Sequence, residues 1–247
     1  MRDDLLDAHS CIDWALSQIQ TLQNRLKAWH SQRPYHVAQE IDAQTGDHLI
    51  VAHLMRPLDP IVPVEVGLII NAIRTALDLL TAALARRNGQ NPSADTHFPV
   101  FASDQCMIDP LTGIEGKKWL STRERAVIKA LKPYPGGDDT IWPLHQLDVR
   151  RKHYRLVEAR PGVHGLFWNG PRGRMLVIGS RGIEPLEDKT ILYRSAEPFD
   201  MTEGENYIAS FVVFNEPEIG LVDEEVTETL RRFAARVNAI IKLFDSR

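Results

Sequence analysis

One long apolar segment in the middle of the chain constrains the fold more than any other feature of the sequence. It runs from Glu65 to Arg87 and reads EVGLIINAIRTALDLLTAALARR. At about 3.6 residues per turn it predicts a helix that is apolar around most of its circumference and is therefore buried on most sides. Three polar residues, Asn71, Arg74 and Asp78, are spaced i, i+3, i+7 and lie along one line. Because unpaired buried polar groups are costly, these side chains must bind partners or take part in chemistry.

The composition places the chain among ordinary soluble proteins. It has 247 residues, of which 43% are hydrophobic and 25% are charged, and its formal net charge of -4 favours no class of partner. The first residues, MRDDLLD, are acidic, unlike a secretory signal. No uncharged apolar run reaches the roughly 18–20 residues of a membrane span. We therefore expect a soluble, cytoplasmic protein that does not bind a membrane.

The sequence predicts neither a cofactor nor a metal. Cys11 and Cys106 make no disulfide framework and no ligand cluster. His48 and His53 fall on opposite faces of one predicted strand, and no Cys or carboxylate completes a tetrahedral set with His36. Neither of the glycine-rich phosphate motifs occurs, and there is no GxSxG nucleophile motif.

Residues 3–31 predict a long helix with an unbroken apolar seam. Apolar residues recur there at alternating spacings of three and four, which is the heptad pattern of paired helices. The partner is either this chain's own central and C-terminal helices or a second subunit, so a homodimer through this helix is one of two interpretations. The seam consists of Leu5, Ala8, Ile12, Ala15, Ile19, Leu22, Leu26 and Trp29.

The remaining segments alternate between helical and strand periodicity. Short β-rich runs separated by Gly, Pro or acidic residues indicate an antiparallel meander, which the early hairpin joins. The last segment predicts an amphipathic helix with Asp223, Glu224 and Glu225 in its first turn. In chain order we expect a hairpin over 35–56 with Gly46 in its turn, a surface loop over 88–116 anchored by residues 98–101, helices over 118–131 and 141–153, strands between 155 and 216, and the closing helix over 222–244.

Together these elements predict an α+β fold. A helical bundle, made of the long N-terminal helix, the central helix and the C-terminal helix, packs with an antiparallel β-sheet. The helical core is expected over about residues 1–153 and 221–247, and the β-rich part over about 35–54 and 155–216. We expect a single integrated domain over residues 1–247, because the first and last helices need the central one to bury their apolar faces.

The polar line on the central helix has two interpretations. Arg74 and Asp78 are i, i+4 neighbours and can pair directly. The line is then a buried brace that fixes how the helices and the 88–116 loop dock. In the other interpretation the guanidinium of Arg74 binds a phosphate or a carboxylate in a cleft.

A basic cluster lies at the end of the 141–153 helix. Between Lys117 and Arg155 the chain has ten Lys or Arg against four Asp or Glu. Basic residues at a helix C-terminus complement its negative end, which is the structural interpretation. The functional one is a surface for an anionic ligand or RNA, with His153 as a proton shuttle. The basic patch consists of Arg150, Arg151, Lys152 and Arg155.

The order of motifs between residues 35 and 156 resembles an uncharacterised bacterial family. Its members carry an N-x-x-R-x-x-L-D helix after a hairpin, a short F-P segment, a P-Y turn, and L-x-x-L ending in D-K-H-R. Arg151 and Tyr154 depart from the last motif, where the family has Asp and Arg, so a salt bridge from that Asp is not expected. The matching residues are Asn71, Arg74, Leu77 and Asp78; Phe98 and Pro99; Lys132, Pro133 and Tyr134; and Leu144, Leu147, Lys152 and His153.

That family is similar in turn to the HEPN helical superfamily, many of whose members are metal-independent ribonucleases. Their R-x(4–6)-H motif lies on a helix that faces a dimer mate. Here Leu79, Leu80 and Thr81 stand where a histidine would complete the motif from Arg74. The resemblance therefore implies a helical scaffold in which the ribonuclease motif is interrupted.

Two classes of function follow. The first is a non-catalytic binding or interaction protein with a HEPN-like helical core and a polar pocket formed by Asn71, Arg74, Asp78 and His153. The second is a metal-independent ribonuclease or another nucleic-acid enzyme of the toxin or defence type. In that enzyme Arg74 stabilises phosphate charge and His153 is the general acid or base, so both must face one open cavity. We expect the binding protein, because the motif from Arg74 lacks its histidine.

Overall fold

The computed structural model describes residues 2–169, 175–198 and 205–245. Within these ranges the protein has six α-helices and seven strands, and every strand pairing is antiparallel, which confirms the α+β fold and its long N-terminal helix. The helices are α1 (Leu6–Ser31), α2 (Ile61–Arg87), α3 (Asp104–Ile108), α4 (Thr122–Leu131), α5 (Ile141–His153) and α6 (Val226–Leu243). The strands are β1 (Tyr35–Ile41), β2 (His48–Leu54), β3 (Ala159–Asn169), β4 (Met175–Pro185), β5 (Thr190–Ser195), β6 (Glu205–Glu216) and β7 (Leu221–Glu225).

The chain forms two compact units, each assembled from separated segments. The helical unit comprises Met1–Leu22, Pro63–Val157 and Thr227–Arg247. The β-rich unit comprises Gln23–Val62 and Glu158–Val226. A single integrated domain over residues 1–247 stays a prediction.

The central helix α2 forms the core of the helical unit, as its sequence predicts. Ile73, Leu77 and Leu80 have no exposed surface at all. The helix begins four residues before the predicted Glu65, because Pro63 is tolerated in a first turn. Within the described residues, α2 is the one helix long and apolar enough to cross a membrane. However, 61% of its most apolar window is buried inside the protein, as in the core helix of a soluble protein.

The apolar seam of α1 is buried within its own chain. Each of its eight residues is at most 9% exposed, from Leu5 at one end to Trp29 at the other. The interpretation that this seam joins two subunits is therefore corrected. A dimer through it would require α1 to leave the core that already covers it, at a cost of roughly 25 cal/mol for each Å² of apolar surface uncovered.

The closing helix begins later than its sequence predicts. Asp223, Glu224 and Glu225 do not form its first turn but lie in β7. The reason is tertiary, because β7 pairs with the end of β6 through Leu221, Val222 and Glu225, and at the irregularity between them Asp223 has a left-handed φ of 61°. The buried face of α6 is confirmed in full, and it consists of Val226, Leu230, Phe233, Val237, Ile240, Ile241 and Phe244.

The β-rich unit contains two sheets where one was expected. The hairpin of β1 and β2 pairs with β5, which gives the order β1-β2-β5, and the other sheet has the order β4-β3-β6-β7. Strand β3 passes through Pro161 and Gly162, where a break was expected, and absorbs the irregularity as a register shift between Val163 and Gly165. The predicted runs also reach into residues 170–174, which lie outside the described ranges.

Apolar side chains from both sheets meet in this unit. Ile50 of β2 packs with Leu166 of β3, and Ala52 packs with Val163 and Leu186. Which strand pairs with which depends on residues that are far apart in the sequence. The alternation of polar and apolar residues along one strand does not specify it.

The start of α5 depends on a buried carboxylate that the sequence did not single out. One oxygen of Asp138 accepts the backbone N–H groups of Thr140 and Ile141 at 2.9 and 2.7 Å. Its other oxygen accepts two hydrogen bonds from Arg236 of α6, at 2.8 and 2.6 Å. Asp138 therefore caps α5 and ties it to α6.

We expect Asp138→Asn to destabilise the protein by about 2–3 kcal/mol, because the amide replaces one accepting oxygen by a donor and leaves Arg236 without its counter-charge. The measurement is the midpoint of urea denaturation. Asp139→Asn is the matched control, since Asp139 is the exposed neighbour. Equal midpoints for the two variants would contradict this role.

Candidate functional site

Helices α2 and α5 run antiparallel and meet along their polar residues. Asn71 donates a hydrogen bond from Nδ2 to Oδ1 of Asp148 at 3.1 Å. One turn further along α2, Arg74 donates from Nε to Nδ1 of His145 at 3.4 Å. At Gly67, one turn earlier, an added Cβ would lie 2.6 Å from Cδ of Arg151. The two helices therefore approach closely enough for the polar line of α2 to meet a polar line on α5.

Arg74 and Asp78 together hydrogen-bond the backbone of Phe98. Arg74 donates from Nη1 to Oδ1 of Asp78 at 2.6 Å and from Nη2 to the carbonyl oxygen of Phe98 at 3.0 Å. The same Asp78 oxygen accepts the N–H of Phe98 at 2.8 Å. Both backbone groups of one loop residue are thus satisfied by one ion pair, which anchors the segment after α2.

The guanidinium of Arg74 is enclosed. Each of its three nitrogens donates to a protein acceptor, and the residue is 3% exposed. The side chain of Asp78 is 35% exposed, so the water-facing end of the pair is its carboxylate. This arrangement matches the brace interpretation, since a guanidinium with all its nitrogens engaged presents no free fork to a phosphate.

Asp148 is the second buried charge at this interface, and the residue is 3% exposed. Besides Asn71, its carboxylate contacts Nη2 of Arg151 at 3.4 Å and Nζ of Lys152 at 2.5 Å. Two residues of the basic patch are therefore committed in part to one internal counter-charge. Through these contacts the carboxylate of Asp148 orients the side chains of Arg151 and Lys152 in the last turn of α5.

His145 is neutral in the folded protein. Burial, followed by the charge of Arg74 and with a smaller contribution from His97, lowers its pKa to about 4, although Asp148 and Asp78 act in the opposite direction. Because Nδ1 accepts a hydrogen bond from Arg74, the proton of the ring resides on Nε2. A neutral imidazole next to a buried guanidinium supplies an acceptor without a second positive charge.

The loop and turn segments of the sequence pattern converge on this interface. Phe98 is completely buried, and the N–H of Phe101 donates to the carbonyl of Pro133 at 2.9 Å. The backbone carbonyl of Lys132 accepts a hydrogen bond from the N–H of Asp138, the residue that caps α5. The F-P segment, the K-P-Y turn and both polar helices thus belong to one continuous hydrogen-bonded region.

The structure brings together some of the predicted site residues and separates others. Asn71, Arg74 and Asp78 lie in the network. His153 does not lie with them. It is exposed in the last turn of α5, eight residues and roughly 12 Å along the axis from His145, so the proposed pocket of these four residues is corrected. His145 occupies the position beside Arg74 that the sequence interpretation assigned to His153.

Three polar residues of α5 in this network carry a sequence signal, and only Lys152 of them was predicted as a site residue, in the basic patch. His145, Asp148 and Lys152 are spaced i, i+3, i+7, as are Asn71, Arg74 and Asp78. Two helices with matching polar lines predict that the lines face each other when the helices pack antiparallel. The sequence lacks only the register between the two helices, which determines which polar residue of α2 meets which polar residue of α5.

The basic patch is located at the C-terminal end of α5, as predicted. Arg150 and Arg151 are half-buried, whereas Lys152 and Arg155 are exposed. In the described part of the chain no three His, Cys, Asp or Glu side chains are grouped so as to hold a metal ion.

Comparisons with protein-family models, with curated proteins and with solved structures found no match. The resemblance to the N-x-x-R-x-x-L-D family and to HEPN proteins therefore stays a prediction.

We expect Arg74→Leu to lower the free energy of unfolding by about 3–5 kcal/mol, because it removes three hydrogen bonds and leaves the buried carbonyl of Phe98 without a donor. Arg74→Lys is expected to be nearly as damaging, since an ammonium does not reproduce the planar fork. Urea denaturation measures both, and Arg123→Leu on the exposed face of α4 is the control. An unchanged midpoint for Arg74→Leu would show that Arg74 is not a brace.

We expect His145 to make the protein less stable as the pH falls from 6.5 towards 4. Unfolded His145 takes up its proton near pH 6.5 and the folded residue only near its lowered pKa of about 4. Between these values the unfolded state holds more protons, so the free energy of unfolding falls as the pH falls, by roughly 3 kcal/mol in total. His145→Asn keeps an acceptor for Arg74 and removes the titration.

The measurement is the difference between wild type and His145→Asn in urea midpoint, followed from about pH 7 to about pH 4.5. His153→Asn, at the exposed histidine, should follow the wild type. A constant difference between wild type and His145→Asn would mean that His145 is not neutralised by the fold.

Proposed function

We propose that the protein is a soluble, cytoplasmic, non-catalytic binding protein with a HEPN-like helical core, and that the C-terminal end of α5 binds single-stranded RNA. The observation that carries this proposal is the enclosure of Arg74. Its guanidinium is 3% exposed and donates to Asp78, Phe98 and His145. An active-site cation must reach the substrate phosphate, and this one is engaged by the protein on each nitrogen.

The histidine that a ribonuclease mechanism would use supports the same conclusion. His153 is exposed at the helix end, and its ring contacts that of Tyr154 edge to face, with centroids 6.3 Å apart. The imidazole that does lie beside Arg74 is His145, whose pKa of about 4 leaves it unprotonated near neutral pH. It is therefore unable to act as a general acid there.

The end of α5 has the composition of a single-strand binding surface. Residues 144–157 contain four Lys or Arg and one acidic residue, Asp148. Tyr154 is 79% exposed and Leu156 is 51% exposed, on either side of the exposed Arg155. Cations that follow a phosphate backbone, combined with an exposed aromatic ring on which a base stacks, are the usual elements of such recognition.

The RNA proposal predicts salt-dependent binding of fluorescein-labelled single-stranded RNA of mixed sequence, measured by fluorescence anisotropy. Tyr154→Ser and Arg155→Gln are each expected to weaken binding roughly fivefold or more. Lys242→Gln, an exposed cation near the end of α6, is the matched control and should bind as the wild type does. Wild-type protein that does not bind RNA, or variants that bind equally well, would contradict the proposal.

The same RNA, incubated with the protein in EDTA, is expected to remain intact. If the wild type cleaves the RNA and His153→Ala does not, while the denaturation midpoint of the variant is unchanged, the protein is a metal-independent ribonuclease and not a non-catalytic binding protein. Since His153 is exposed, this variant is expected to fold normally, and the comparison is therefore decisive.

A further inference from the structure

A cavity of about 610 Å³ lies in the β-rich unit, and neither the polar network nor the basic patch includes it. It is bounded by the end of α1, the start of β1 and the first half of β6. β1 is an edge strand of its sheet. The described part of β7 pairs with β6 only from Val213 onward, so the cavity lies between two strand edges. Its volume is in the range of sites for small organic molecules, roughly 300–1,000 Å³.

The wall of the cavity has one sign of charge. None of its thirteen described lining residues is Asp or Glu, and Arg33 is the one Arg or Lys among them. Arg33 is exposed and lies two residues after the end of α1, where its N–H donates to the carbonyl of His30 at 3.0 Å. An arginine among described lining residues that include no carboxylate favours an anionic ligand.

Arg33 also occupies a backbone conformation that favours glycine. Its φ of 49° is left-handed, the conformation in which helices commonly end at Gly. At the end of α2 the chain uses Gly89, with φ of 71°, for this purpose. A residue other than glycine in this conformation has a steric cost, and strained positions of this kind concentrate at functional sites.

Aromatic rings supply the apolar part of the wall. Tyr207 is stacked on Phe167 with centroids 4.9 Å apart and planes 7° from parallel, and it is still 60% exposed. Tyr35 is held by a hydrogen bond from its hydroxyl to the carbonyl of Leu186 at 2.9 Å, and burial raises its pKa to about 12. Both rings are thus fixed by the protein, and both residues line the cavity together with Arg33.

A polar pair completes the lining. Nδ1 of His30 lies 3.3 Å from the hydroxyl of Ser210. Burial lowers the pKa of His30, so its ring is neutral near pH 7 and serves as a hydrogen-bonding group rather than as a second charge. A carboxylate at Arg33 would therefore have one cation to pair with and one neutral pair to bind a polar substituent.

We propose that this cavity binds a small aromatic carboxylate, with the carboxylate paired to Arg33 and the ring packed against Tyr35 and Tyr207. The proposal goes beyond RNA binding by α5 and does not depend on it, since the two sites share no residue. A bidentate pairing with the guanidinium would give the site its preference for carboxylates over uncharged analogues of the same shape.

The test uses the full chain and two probes of nearly equal shape, para-(trifluoromethyl)benzoate and the uncharged para-(trifluoromethyl)benzamide, titrated by fluorine NMR. We expect the benzoate to bind at millimolar concentration or below and the benzamide at least about fivefold more weakly. Arg33→Gln should remove the preference for the benzoate. Arg123→Gln, at an exposed arginine of α4, should retain it.

Arg33→Gly provides a second variant in which folding is not at risk, because glycine adopts the left-handed conformation without strain. It should unfold at a urea midpoint no lower than that of the wild type and still lose the preference for benzoate. Equal affinities for the two probes, a preference that survives in both Arg33 variants, or no binding of either probe at millimolar concentration would each overturn the proposal.

Discussion

The buried guanidinium of Arg74 is the interaction on which the helical unit depends. A charge that is removed from water must have partners on every side, and here they come from three different parts of the chain: the next turn of α2, the loop at Phe98 and helix α5. The apolar faces of α2 permit many packings, since hydrophobic contact is non-directional. The hydrogen bonds from the guanidinium of Arg74 permit one packing, because each donor has a fixed direction.

The chemistry of α5 follows from this constraint. His145 accepts from Arg74 as a neutral ring, and Asp148 binds Asn71, Arg151 and Lys152. The inner half of the helix is therefore a closed polar interface, whereas Lys152 and His153 at its end and Tyr154 and Arg155 just after it are exposed. The inner half of α5 thus holds the helices together, and its exposed end is available for binding. These two regions lie within about two turns of each other.

Two binding proposals arise from different parts of the chain and differ in character. At the end of α5, charge is exposed at a helix terminus, which suits an extended polyanion whose affinity comes from many weak contacts. In the β-rich unit, one arginine and two fixed tyrosines line a cavity, which suits a small ligand. The first depends on net charge, whereas the second depends on shape and on a single ion pair.

The helical periodicity of the sequence determined four of the elements of this protein. The buried seam of α1, the core helix α2, the bounds of α5 and the apolar face of α6 follow from spacings of three and four residues, which report local geometry. The polar line through Arg74 was also visible, because charge on an apolar helix demands partners. Only the tertiary structure decided what those partners are. His145 rather than His153 meets Arg74, β5 joins the hairpin, and residues 221–225 form a strand. Each of these depends on register between segments distant in sequence, which is set by packing and by hydrogen bonds that no local pattern encodes.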